Sequence, residues 1–197
     1  MVRLAIELGL HHDPHVVPSS EDNPDTIVFT DEECQLRIRL WAVVLLHDRG
    51  TSILLGRPLA IAPLDSNTPR PNRGKPNELS EHFYLSAPIA EIQADIINSL
   101  YAPTRQSADS IMRHAVRILK SMVEFRRQLP DSYKWYFNGT DEWPTEKRKQ
   151  LVQDISEDQG LTLLKIGIAR ILLLRALFSS KELPFHSRLR ALVDGVF

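Results

Sequence analysis

The stretch from Thr30 to Pro58, TDEECQLRIRLWAVVLLHDRGTSILLGRP, limits most sharply what this chain can fold into. Leu36, Leu40, Val43, Val44, His47, Thr51 and Leu54 follow helical spacing, and Ile38, Trp41, Ala42, Leu45 and Leu46 cover most of the remaining circumference. A helix apolar nearly all round is expected to be buried. Thr30 with Glu33 three residues on reads as a capping box. Asp31, Glu32 and Glu33 add negative charge in the first turn, where the helix dipole favours it. With Arg37, Arg39, Asp48 and Arg49 inside it, the segment is too charged and too short to span a membrane. The spacing therefore predicts the central helix of an all-α domain. Asp48 and Arg49 are read as a structural ion-pair network rather than a ligand contact, because a buried charge needs a partner. His47 is expected to be a hydrogen-bonded core histidine, and Gly50 a point of close helix approach.

The rest of the chain reads as more helices joined by proline-rich connections. Residues 2–9 form a short uncapped helix closing near Gly9, and residues 11–30 form a loop with three prolines. His11, His12, Asp13 and His15 are residue types that ligate zinc, but no second ligand cluster lies at a recognisable spacing, so a solvated loop is expected. Residues 59–80 form a proline-stiffened crossing, with a small basic cluster at Arg70, Arg73 and Lys75. A third helix over 82–101 carries Leu85, Ile89, Ile92, Ile96 and Leu100 on one stripe, with Pro88 near its first turn or at a kink. A fourth over 106–129 buries Ile111, Ala115, Ile118, Met122, Phe125 and Leu129, and turns Arg113, Arg117, Lys120, Glu124 and Arg127 outward. The aromatic segment 130–150 reads as irregular chain packed on the core. Residues 157–180 form a buried helix whose Lys165, Arg170 and Arg175 are costly in lipid, and residues 186–197 begin another. The expected architecture is one all-α, irregular multi-helix bundle over 1–197.

Composition narrows the function classes. In 197 residues, 24 basic and 25 acidic side chains give a formal charge of −1, so no global field favours nucleic acid. Cys34 is the single cysteine, which rules out an internal disulfide and a cysteine-rich zinc site. The N-terminus lacks the pattern of a signal peptide.

The ordered features Leu8-Gly9-Leu10-His11, Glu33, Arg37, Arg39, Trp41, Asp48-Arg49, Ser52, Leu55-Gly56-Arg57-Pro58, Asp65 and Pro69 resemble the regulatory domain of fungal binuclear-zinc-cluster transcription factors, the middle homology region. The match is clearest over residues 1–70 and continues more loosely to about residue 180. Members often carry a Trp-Trp pair where this chain has Trp41-Ala42, and an arginine in place of His12. The resemblance marks Arg37, Arg39, Trp41, Asp48, Arg49, Gly56, Arg57, Pro58 and Asp65 as family-defining structural positions, none of them catalytic. It also implies that Met1 falls inside a helix that members begin earlier, so the domain is expected to be incomplete at its N-terminus: a truncated product or a naturally short paralogue.

By that resemblance the chain belongs in the nucleus and modulates transcription through protein partners, through other parts of a transcription factor, or through a small-molecule effector. The family's zinc cluster needs six closely spaced cysteines, so zinc and DNA reading belong to the family and not to this chain, for which no cofactor and no membrane or direct nucleic-acid contact are expected. The alternatives are a helical small-molecule sensor, with a closed apolar cavity near Trp41, Trp135 and Trp143 as its mark, and a truncated non-DNA-binding paralogue or remnant. An enzyme is the weaker reading: no nucleophile with a base, acid pair or metal-ligand spacing stands out.

Overall fold

The computed structural model describes residues 1–16, 28–62, 64–71, 79–188 and 190. The chain is all-α, and among the described residues there is no strand. Its elements are α1 (Val2–Glu7), α2 (Asp31–Leu55), α3 (Glu81–Leu100), α4 (Ala108–Gln128), a 3-10 turn (Asp131–Tyr133), α5 (Lys134–Asn138), α6 (Thr145–Asp154) and α7 (Glu157–Ser179). Where the sequence suggested one domain, these elements gather into two compact units, Met1–Glu78 and Leu79–Phe197.

In the N-terminal unit, α2 starts as its sequence dictates. The Thr30 N–H donates to Glu33 Oε2 at 2.8 Å, and the Glu33 N–H returns to Thr30 Oγ1 at 3.3 Å. Burial along α2 is not all round. Cys34, Ile38, Trp41, Ala42, Val44, Asp48, Arg49 and Ser52 face inward, while Leu36, Leu40, Val43 and Leu54 are exposed. The expected apolar stripe is thus the outer face, and His47 is exposed with it. Gly50 also lies on that face, and a side chain there would meet nothing within 4 Å, so it seats no neighbouring helix. Among the described residues, the core cluster of this unit is Ala5, Leu10, Trp41, Val44 and Ile61, smaller than that of the C-terminal unit.

The C-terminal unit packs α3 against α4 and α7. Leu85, Ile89, Ile92 and Ile96 of α3, Ala115, Ile118 and Phe125 of α4, and Leu163, Ile166, Ala169, Leu173 and Leu177 of α7 share one core. The α3 and α7 series recur every three or four residues and the α4 series at three and seven, spacings that keep a stripe on one helix face. Pro88 lies inside α3 rather than in its first turn. The 130–150 segment, expected to be irregular, holds the 3-10 turn and two short helices, α5 and α6. Its Trp135, Tyr136 and Phe137 do pack against the core. Beyond α7 the backbone turns helical again at 185–188; the rest of the helix expected over 186–197, like Arg73 and Lys75, falls almost wholly outside the described residues.

Candidate functional site

The motif positions converge where α2 ends. Gly56 caps the helix in the left-handed conformation (φ 61°), which glycine adopts without steric cost. Two amides then return to the helix end, since the N–H groups of Gly56 and Arg57 both donate to the Ser52 carbonyl. The Ser52 hydroxyl donates to the Pro58 carbonyl at 3.2 Å. With the chain reversed, the Ala60 N–H donates to Asp48 Oδ1 at 3.0 Å and the Ile61 N–H to Asp48 Oδ2 at 3.4 Å. Arg49 Nη1 donates to the same carboxylate at 2.8 Å, with both side chains under one-tenth exposed. One buried carboxylate thus accepts a guanidinium and two backbone amides, the arrangement that offsets the cost of burying an ion. The result delivers Ile61, 1% exposed, to the core beside Trp41. Burying an indole removes roughly 200 Å² from water, worth about 5 kcal/mol. Among the described residues Trp41 Nε1 has no hydrogen-bond partner, which costs at most about 1–3 kcal/mol; burial wins.

The other marked positions surround this turn. Asp65 Oδ2 accepts the Ala62 N–H at 2.8 Å and shapes the next bend. Beyond it, Asn67 and Thr68 bond the first loop: the Asn67 N–H donates to the His11 carbonyl, and the Thr68 hydroxyl to the Leu10 carbonyl. Arg37 donates from Nη2 to the Leu8 carbonyl and lies 4.2 Å above the Phe29 ring. Arg39 Nε donates to the Gln35 carbonyl of its own helix, and Arg57 is exposed. Asp48, Arg49, Gly56 and Pro58 therefore meet in one place, whereas Arg37, Arg39, Arg57 and Asp65 do not join them. The histidines of the first loop do not assemble a metal site: among the described residues no three His, Cys, Asp or Glu side chains gather. The His11 and His12 ring centroids lie 3.8 Å apart with the planes tilted by 42°, and His15 Nδ1 lies 3.0 Å from Asp13 Oδ1. Burial, then the His12 charge, lowers the His11 pKa.

A second polar constellation lies between α3 and α7. Lys165 Nζ donates to Ser86 Oγ at 2.9 Å. Ser86 Oγ lies 3.3 Å from His82 Nε2, and His82 Nδ1 lies 2.9 Å from Thr162 Oγ1. The Thr162 hydroxyl donates to the Asp158 carbonyl. Because that carbonyl only accepts and takes the Thr162 hydroxyl, His82 Nδ1 is the donor to Thr162 Oγ1, and with His82 neutral its Nε2 is left to accept the Ser86 hydroxyl. Burial and the Lys165 charge lower the His82 pKa against an opposing Asp158, and burial lowers that of Lys165. Nearby, the Tyr133 hydroxyl donates to Glu81 at 3.3 Å. Serine, histidine and lysine in contact are the makings of a nucleophile, but Ser86 is 1% exposed and Thr162 fully buried. The set ties two helices together and presents no oxygen to a substrate. Sequence reading missed it, although the signal was there: Ser86 and Thr162 are polar residues next to buried Leu85 and Leu163 on apolar stripes.

Two more features bear on function. Arg117, expected on a solvated face, reaches across to α3: its Nη2 bonds Asp95 and Ser99, and its Nε donates to Asp95 Oδ2 at 3.1 Å. At the C-terminal end of α4, an open cleft of about 440 Å³ is lined by Arg126, Arg127, Lys134 and Phe137 together with Leu129, Asp131 and Asn138, among others. The Arg126 guanidinium lies 4.9 Å from the Phe137 ring. None of the three tryptophans lines this cleft, and Trp41 sits in a different unit from Trp135 and Trp143. No helix among the described residues is long and apolar enough to cross a membrane. Comparison with known protein families, with curated proteins and with solved structures finds no match.

Proposed function

We propose that the chain is a regulatory and interaction domain of a fungal binuclear-zinc-cluster transcription regulator, working in the nucleus through partner proteins and not as an enzyme. The observation that carries this reading is the turn at the end of α2. The residues that bear the resemblance, Asp48, Arg49, Ser52, Gly56 and Pro58, form one latch, in which the side chains of Asp48, Arg49 and Ser52 are buried and Gly56 and Pro58 make the exposed turn. A motif whose members hold the backbone and reach no open cleft belongs to a scaffold that presents surfaces. DNA reading falls to a zinc cluster elsewhere in such a regulator, since the single Cys34 is buried, 2% exposed.

The test fuses the chain to a heterologous DNA-binding domain on a reporter promoter in fungal cells. The expected outcome is a reporter output raised or lowered relative to the DNA-binding domain alone, with no retarded band when the purified chain is mixed with duplex DNA at low salt. An unchanged reporter, or DNA binding by the chain itself, overturns the reading.

The cleft at the end of α4 favours a second reading, a sensor of a small anionic effector. Its volume lies in the range of ligand sites, and its lining holds Arg126 over the Phe137 ring beside Arg127 and Lys134, which pair with Glu124 and Asp131. A rise in melting temperature with aromatic carboxylates, lost in Arg126→Ala, is the outcome expected of it.

A further inference from the structure

The outward face of α2 carries a pattern that neither the latch nor the core uses. Leu36, Leu40, Val43, His47, Gly50 and Leu54 follow one another in steps of four, three, four, three and four residues, the heptad spacing of a helix that packs along another helix. Leu36 is 53% exposed, Leu40 45%, Val43 38% and Leu54 83%. His47 and Gly50 are exposed too. The stripe runs about 27 Å along α2 at 1.5 Å per residue.

The stripe also complements itself. In an antiparallel pair centred between Val43 and His47, Leu36 of one copy meets Leu54 of the other, Leu40 meets Gly50 and Val43 meets His47. The open space at Gly50, where a side chain would touch nothing within 4 Å, is where the other copy's Leu40 arrives. Glu32 and Glu33 stand in the acidic first turn, and an antiparallel pair sets the two copies of that turn at opposite ends of the interface. A parallel pair would instead set the two acidic turns side by side. Each patch contacts its own symmetry mate, as a two-fold interface requires.

From this geometry we infer that the outer face of α2 is a dimerisation surface, on which a second copy of this chain packs antiparallel, Leu40 against Gly50. The surface is independent of the proposed regulatory role, so either can fail alone.

Sedimentation velocity of the full chain over a concentration series tests it. The mass is expected to double with concentration, and Leu40→Asp, a change at an exposed position, to return it to monomer with unchanged circular dichroism. Orientation is read by crosslinking. One preparation carries Val43→Cys, another His47→Cys, and the two are oxidised separately and mixed; the native Cys34 is buried. A disulfide-linked dimer formed mainly in the mixture supports the antiparallel pair. Equal crosslinking of the Val43→Cys chain with itself overturns it in favour of a parallel arrangement. A chain monomeric at every concentration, or a dimer indifferent to Leu40→Asp, overturns the surface altogether.

Discussion

The two compact units solve the same problem with different means. The C-terminal unit has a continuous apolar core drawn from α3, α4 and α7, and its buried polar groups are threaded between helices already packed. Among the described residues, the N-terminal unit clusters Ala5, Leu10, Val44 and Ile61 around Trp41, and what brings Ile61 to that core is a set of hydrogen bonds to Asp48. Area dominates one unit and a few directional bonds the other. A large core loses little when one side chain changes, because its neighbours still share the burial. A small core closed by one carboxylate is brittle by comparison.

The sharpest way to break this comparison is Asp48→Ala. It takes the Asp48 carboxylate away from the buried Arg49 guanidinium and from the Ala60 and Ile61 amides. Removing one partner of a buried pair costs about 3–5 kcal/mol. Against so small a core, the expected outcome is loss of hydrogen-exchange protection through α2, with α3, α4 and α7 as protected as before. The counterpart is Ile118→Ala, at a fully buried position of the larger core. It is expected to cost about 3 kcal/mol through lost burial and the cavity left behind. Exchange should quicken across α3, α4 and α7, with those helices still folded and α2 unaffected. If Asp48→Ala left α2 protected, or if either change loosened both units together, the contrast drawn above would be wrong.

How much of this was legible follows the same division. The long helices of the C-terminal unit, α3, α4 and α7, could be read to within two residues at each end, because stripes such as Leu85, Ile89, Ile92 and Ile96 recur at one spacing and face one way; the short α5 and α6 could not. α2 misled for the reason that it is apolar on two faces. Periodicity finds stripes but cannot say which stripe is inward, and the inner one carries Asp48, Arg49 and Ser52, residues that hydropathy assigns to solvent. The capping box at Thr30 was legible since its bonds are local in sequence. The latch was half legible: a buried Asp-Arg pair could be expected, whereas its second role, accepting amides twelve and thirteen residues on, depends on the Gly56 turn. The relay from Lys165 to Thr162 spans residues some eighty positions apart, and no spacing rule reaches that far.

The smallest expected effect sharpens the contrast from the side of the larger unit, through pH. His82 is held below its ordinary imidazole range by burial and by Lys165, with Asp158 opposing. In the unfolded chain its pKa returns to about 6.5. Between that value and the lower folded one, the unfolded state binds the extra proton, so stability falls as pH falls through this window and is fully present above it. Lys165 is also held below its usual range, but its window opens on the alkaline side and leaves the acid one to His82. A protonated His82 can no longer accept the Ser86 hydroxyl at Nε2, so that bond within α3 reverses and sets a second cation on the hydroxyl that Lys165 already holds from α7. Urea midpoints of the C-terminal unit, followed by exchange in α3 and α7, should drop from pH 7.5 to 5.5 in the wild type and drop less in His82→Gln. Equal slopes in the two proteins would mean that the histidine titrates alike folded and unfolded. The relay would then be a water-accessible surface feature, and the larger unit would owe its stability to apolar area alone.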